Sequence, residues 1–168
     1  MKRKHINTLV FLMISILMIY VKSLSAQIQS MAGPRIGLTI IAPGETSDFL
    51  NEHDGNTAIT TQYGWQWESR FTSGTEFVGL VEWVLVVGGM EKGKFMPSVS
   101  SIVGFRNADG LELGMGPNLS FGGLGMVFGI GMNYKSGDLN LPVNIIVVPP
   151  KEDSGFAISF MLGFNMGK

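Results

Sequence analysis

The chain has no cysteine, so disulfides and thiolate metal sites are closed to it. Histidine is nearly as scarce. Of the two present, only His53 lies beyond the first 26 residues, which excludes a multi-histidine metal centre. Beyond residue 26 there are 8 Lys and Arg against 13 Asp and Glu, a balance that excludes nucleic acid as a natural partner. That part also lacks any apolar run of helical length free of glycine, and it holds all 23 glycines of the chain. What is left is a single domain of short strands and tight turns.

The one long apolar run is at the start. MKRKHINTLVFLMISILMIYVKSLSAQ places three basic residues in its first four, an apolar segment from Leu9 to Val21, and a small-residue end. This is the layout of a secretory signal peptide, with cleavage expected after Ala26. The segment is closed off by Lys22 and falls short of the roughly 20 residues that a spanning helix needs. Residues 1–26 are therefore expected to be an export signal and residues 27–168 the folded domain.

Alternation by parity runs through that domain, because side chains on a strand point to opposite faces in turn. YGWQWESRF, residues 63–71, sets Tyr63, Trp65, Trp67 and Phe71 against Gly64, Gln66, Glu68 and Arg70. GPRIGLTIIA sets Ile36, Leu38 and Ile40 against Arg35, Gly37 and Thr39; FVGLVEWVLVV sets Val81, Trp83, Leu85 and Val87 against Glu82. VSSIVGFRN, LELGMGPNLSF, LGMVFGIGMNYK, LNLPVNIIVV and GFAISFMLGFNM divide in the same way, which gives eight strands. Four short turns join apolar face to apolar face. Ala108-Asp109-Gly110 puts Arg106 opposite Glu112, and Gly122-Gly123 puts Phe121 opposite Leu124. Ser136-Gly137 pairs Lys135 with Asp138 and Asn133 with Asn140, while Ser73-Gly74-Thr75 pairs Thr72 with Glu76 and sets Glu82 opposite Gln66. Longer and shorter connections alternate, the fifth being a tight exception.

Two surroundings could accept such strands. A soluble barrel is apolar inside, whereas an outer-membrane barrel is apolar outside. Eight strands enclose only enough room for side chains to fill, so the bulky apolar set cannot all point inward. A soluble β-sandwich with one solvated face would scatter charges over its outward faces and carry many more lysines. The expected fold is therefore all-β, an eight-stranded antiparallel up-and-down transmembrane β-barrel with both termini in the periplasm. Tyr63, Trp65, Trp83, Phe121 and Phe156 are expected in an outer aromatic girdle, and Phe71, Phe77, Phe105 and Tyr134 in a periplasmic one.

The whole of residues 27–168 resembles small outer-membrane barrels of the OmpA/OmpX type. GPRIGLTIIAPGETSDF, LVEWVLVVGGMEKG, MPSVSSIVGFRNADGLELGMGPN and SGDLNLPVNIIVVP more narrowly resemble outer-membrane barrel proteins of Bacteroidota. The alternating last strand is similar to the C-terminal signal read by the barrel-insertion machinery, although it ends in Met166-Gly167-Lys168 and not in an aromatic residue. The resemblance implies residence in the outer membrane of a Gram-negative bacterium, contact with its lipids, and no particular activity.

Three places could carry function. The inward set Arg35, Gln66, Glu68, Arg70, Glu82, Arg106, Glu112 and Lys135 reads as a charge network that plugs the lumen, with an ion path as the other reading. Toward the outer loops the inward positions turn apolar, at Ile41, Val84, Val86, Ile146 and Val148 with Met90 and Met161 adjoining; an acyl chain or other hydrophobic ligand could enter there. In residues 43–62, His53 with Asp48, Glu52 or Asp54 could form a hydrolase site, but a solvated acidic loop with a short helix from Thr46 to His53 accounts for the same residues. The runs GMGPN and GIGMNYKSG are no phosphate loops, since no helix follows them. The expectation is a non-enzymatic barrel, structural or surface-interacting, without cofactor or metal, and not an open porin.

Overall fold

The computed structural model describes residues 29–52, 56–72, 76–151 and 153–167. The expected signal peptide lies outside them. The strands are β1 (Gln29–Ile41), β2 (Ala58–Thr72), β3 (Phe77–Gly88), β4 (Met96–Asn107), β5 (Leu111–Ser120), β6 (Gly123–Ser136), β7 (Leu139–Val148), β8 (Ala157–Gly163) and β9 (Asn165–Gly167). β9 continues the line of β8 past Phe164, since both pair with β1 and with β7. Each strand pairs antiparallel with the next and β1 pairs with both β2 and β8, so eight strand positions close into a barrel.

Followed once around the wall, the register runs Gln29, Arg70, Leu80, Gly104, Gly114, Gly129, Ile146, Ser159 and back to Thr39, ten residues further along β1. A stagger of this kind tilts the strands by roughly 35–45° to the axis. Closure leaves no sheet edge unpaired, which is what a wall in contact with hydrocarbon requires. One ladder is incomplete: β4 and β5 pair on either side of Pro117 but not across it, because proline has no N–H to give.

Parity sorts the faces as the alternation predicts. Ile36, Leu38, Trp65, Trp67, Trp83, Val103, Leu113, Phe128, Ile145 and Phe160 are exposed on the outside, while Arg35, Gln66, Glu68, Arg106 and Glu112 are buried within. Register is a different matter. β4 and β5 pair Arg106 with Glu112 as expected, and Gly110 takes φ +92° in their turn, a conformation glycine adopts without strain. The other three hairpins are shifted by two residues. Thr72 pairs with Val78 instead of Glu76, Leu119 instead of Phe121 faces Leu124, and Lys135 faces Asn140 instead of Asp138. A slip of two leaves every side chain on its expected face, so the apolar pattern does not resist it.

Long connections (residues 42–57, 89–95 and 149–156) gather at one end together with the two-residue turn 121–122. The short turns and both described chain ends lie at the other. A helix, α1 (Glu45–Asn51), closes over the loop end. Its start is fixed by Ser47, whose Oγ accepts from Gly44 N–H at 2.9 Å and donates to Gly44 O at 2.8 Å. Leu50 turns down onto Ile41, Ala58 and Met96 as a lid on the barrel, and Phe49 stacks on Phe121 at 4.3 Å between ring centres. Phe121 is thus a support for the lid as well as a rim aromatic. At the opposite end Phe77 and Phe105 meet edge to face at 6.1 Å.

The loop 89–95 is clasped to β2 by Glu91, which accepts from Thr61 N–H at 3.1 Å and from Thr61 Oγ at 2.7 Å. The slight burial of Glu91 pulls its carboxyl upward, but bonds from the Thr60 and Thr61 hydroxyls outweigh this and hold it down to about 2. A lowered carboxyl stabilises the folded form above its free value of 4.5, and that contribution is lost only as pH falls toward about 2. The Thr61 amide resonance is therefore expected to hold its position through pH 4.5 and to move only on approach to pH 2; movement centred on 4.5 would show that the clasp does not form.

Candidate functional site

The lumen is layered, and inward positions on consecutive strands build each layer. Nearest the short turns is a charge network around Glu68, which is 1% exposed. Arg106 grips it with two parallel bonds, Nη1 to Oε1 and Nη2 to Oε2, both 2.9 Å. This is the planar fork that arginine supplies and lysine cannot. The same guanidinium donates from Nε to Glu112, so one cation bridges two carboxylates. Arg70 donates to Glu68 from the side, and Asn165 of β9 reaches Glu68 Oε2 at 3.3 Å. Asn144 donates to Glu112 at 3.3 Å.

One step further up, Arg35 Nε donates to Gln66 Oε1 at 2.7 Å, and Gln66 Nε2 donates to Glu82 at 2.6 Å. Glu82 stands beside Glu68 across the β2–β3 ladder, a consequence of the two-residue shift that sequence alone did not reveal. Arg35 is 3% exposed, and its Nη2 has no partner among the described residues. A cavity of about 40 Å³ lies between Arg35, Glu82, Glu112 and Asn144. The wall beside it is thin, because the inward positions Gly104, Gly114 and Gly129 carry no side chain.

Seven of the eight network residues read from the sequence thus fall into two bonded groups at adjacent levels, Arg35–Gln66–Glu82 and Arg70–Glu68–Arg106–Glu112. Lys135 is the correction. β6 runs on to Ser136 before turning, which leaves Lys135 exposed at the short-turn end opposite Asn140, outside the network. Asn140, Asn144 and Asn165 share the inward parity and bond to the network, although the sequence reading left them out of the charge set. Asn140 takes a 3.5 Å contact from Arg70, and Asn165 had a legible signal in its inward parity on the last strand.

Above the charges Val84, Val86, Ile102, Val127 and Met161 pack together, with Ile146 and Val148 against them. Four of the five residues expected at an apolar mouth belong to this layer. The fifth, Ile41, sits higher, under the lid with Leu50 and Met96. Met90 is exposed in the short 3-10 turn Met90–Lys92 and adjoins neither group. Between the two apolar groups lies a polar band. Thr39 and Ser159 share a hydrogen bond of 2.7 Å, and Asn118 donates to Ser98 and Ser100 at 2.8 and 2.9 Å. A cavity of about 100 Å³ opens there. His53 and Asp54 lie outside the described residues; Asp48 is on α1 and Glu52 is its C-cap.

A closed wall with an apolar exterior on all its strands and paired charges inside defines the class: this is an outer-membrane-type β-barrel. No family model and no curated protein sequence matches the chain. Among solved structures the chain is similar to Ail, the attachment invasion locus protein of Yersinia pestis, in complex with the heparin analogue sucrose octasulfate. The TM-score is 0.55 at 10% identity, over 84% of this chain and 99% of that one. A de novo designed transmembrane β-barrel aligns over 83% of this chain and 95% of its own at a TM-score of 0.46 and 13% identity. At such identities the likeness to Ail is one of fold alone.

Proposed function

We propose that the protein is a closed, non-porin barrel of the Gram-negative outer membrane, exported by residues 1–26. In this reading the loop end faces outward, the termini are periplasmic, and the role is structural or surface-interacting without catalysis. The observation that supports the reading is that two successive levels of the lumen hold buried side chains, the Glu68–Arg106–Glu112 network and the apolar layer above it. Ions would have to displace both. Outer-membrane lipids are the partner of the exposed apolar belt, and the barrel-insertion machinery is the partner of the last strand. The resemblance to OmpA/OmpX-type and Bacteroidota barrels belongs to the same reading.

The sulfated ligand of Ail does not transfer. Residues 42–57, 89–95 and 149–156 carry seven carboxylates against three lysines, so the loop end repels a polyanion. A surface partner would be neutral or cationic. Two measurements test the proposal. Full-length protein in planar bilayers is expected to give no steady unitary conductance, and membrane-extracted protein to migrate differently on a gel before and after heating. Stable conductance steps would overturn the closed lumen; unchanged migration after heating would overturn the membrane barrel.

A further inference from the structure

We infer that the loop end holds a binding site for a small hydroxy-carboxylate, seated in the cavity of about 100 Å³ between the apolar layer and the α1 lid. The inference is independent of whether the barrel conducts, because the cavity is lined by residues on the loop side of the apolar layer.

The lining is the first reason. Among the described residues that surround this cavity, Lys151 is the one charged group and no carboxylate lines it. Lys151 has no ion-pair or side-chain hydrogen-bond partner among the described residues, although its neighbours at the rim are acidic. Its side chain lies along β6 where Gly123 and Gly125 have none: a Cβ on Gly123 would come within 3.1 Å of Nζ and one on Gly125 within 3.9 Å of Cδ. The bare strand is what lets the ammonium reach inward. The exposed carboxylates of Glu45 and Asp153 act through screened solvent, whereas half-buried Lys151 acts across a partly enclosed space of lower dielectric, so its charge is felt more strongly there.

Hydrogen-bond bookkeeping adds the second reason. Asn118 is 4% exposed and directs its amide hydrogens at the Ser98 and Ser100 oxygens, which leaves the hydroxyl proton of Ser98 to be donated elsewhere. Thr39 and Ser159 share one hydrogen between them, so one further hydroxyl proton is free. With Ser120 and the Lys151 ammonium, the cavity offers several donors and one positive charge. That complements a carboxylate with an adjoining hydroxyl. Volume sets the size: a cavity of about 150 Å³ accommodates benzene, so this smaller space suits a molecule of about four to six non-hydrogen atoms.

Access is the third. The turn 121–122 is too short to raise the rim between β5 and β6, and the loops 42–57 and 149–156 lean over it, tied to each other by Ala42 N–H to Phe156 O and Glu45 N–H to Asp153 O, both 2.7 Å. Lys151 and Ser154 stand at this gap.

The test uses full-length protein folded in detergent micelles, with lactate as the probe and glycerol as its neutral control, read by saturation-transfer NMR and calorimetry. Saturable lactate binding is expected, with glycerol weaker by about tenfold or more, as loss of a charge-assisted contact implies. Lys151→Gln should reduce lactate binding to the level of glycerol. Gly125→Leu, whose Cβ meets nothing nearer than Lys151 Cδ at 3.9 Å, should fill the cavity and abolish both while the protein keeps its heat-dependent gel migration. The control Lys135→Gln, exposed at the opposite end of the barrel, should bind as the parent does. No saturable lactate binding, equal binding of lactate and glycerol, or undiminished binding by Lys151→Gln or Gly125→Leu would each overturn the inference.

Discussion

Glu68→Ala is expected to destabilise the barrel by about 3–5 kcal/mol, the cost of leaving a buried charge without its partner. Such a loss is a large fraction of the roughly 5–15 kcal/mol that a folded domain commonly has. Glu68 accepts from both Nη groups of Arg106 and from Nε of Arg70, and Asn165 closes on it from β9. Removing it strands two guanidinium groups where the lumen admits little solvent. Arg106 keeps Glu112, but a single carboxylate cannot satisfy all of its donors in one plane. Urea unfolding of the protein in lipid vesicles measures the change. The double substitution Glu68→Ala with Arg106→Ala should lose clearly less than the sum of the two single ones, because each single change leaves the other's charge exposed to the same penalty. Additive losses, or a Glu68→Ala change within about 0.5 kcal/mol of the parent as for an ordinary surface site, would show that the network is solvated and holds nothing together.

Val103→Arg carries the second large effect, and it decides what lies outside the wall. Val103 is 60% exposed, in mid-β4, beside Val81 on one strand and Met115 on the other. Against water such a change is close to neutral. Against hydrocarbon an arginine near the midplane costs about 2–4 kcal/mol, falling to about 0–1 kcal/mol near the interface. Phe95→Arg provides the comparison, since Phe95 is 68% exposed but lies in the loop 89–95 at the end of the barrel. The expected result is a steep loss for Val103→Arg and almost none for Phe95→Arg in the same vesicles. Equal effects at the two positions would mean that the apolar belt does not meet lipid.

Faces were legible in the residues, and registers were not. Trp65 and Trp67 point outward and Gln66, Glu68 and Arg70 inward because a side-chain period of two leaves no other choice once one face is apolar. The β6–β7 turn in NYKSGDLN, residues 133–140, shows where this stops: Ser136-Gly137 and Gly137-Asp138 both satisfy a two-residue turn, and only the second is used, with Gly137 at φ +61°. The choice moves Lys135 out of the lumen's charge network. In the same way the β2–β3 shift sets Glu82 beside Glu68, which no count of charges along the chain would predict.

The site divides along the same line. That charged side chains share the lumen follows from parity, strand by strand. That Arg106 rather than Arg35 takes Glu68 depends on how far each strand is staggered against the next, and stagger is fixed only when the eighth strand meets the first. The polar cavity under α1 is further still from the sequence, since its lid, its low rim and its lysine come from residues 42–57, 121–122 and 149–156. By itself the sequence determined a barrel-forming alternation and which set of side chains would be enclosed, because both are properties of single strands. The tertiary structure decided which enclosed groups touch and where space is left between them, because contacts across a lumen depend on closure of the whole wall.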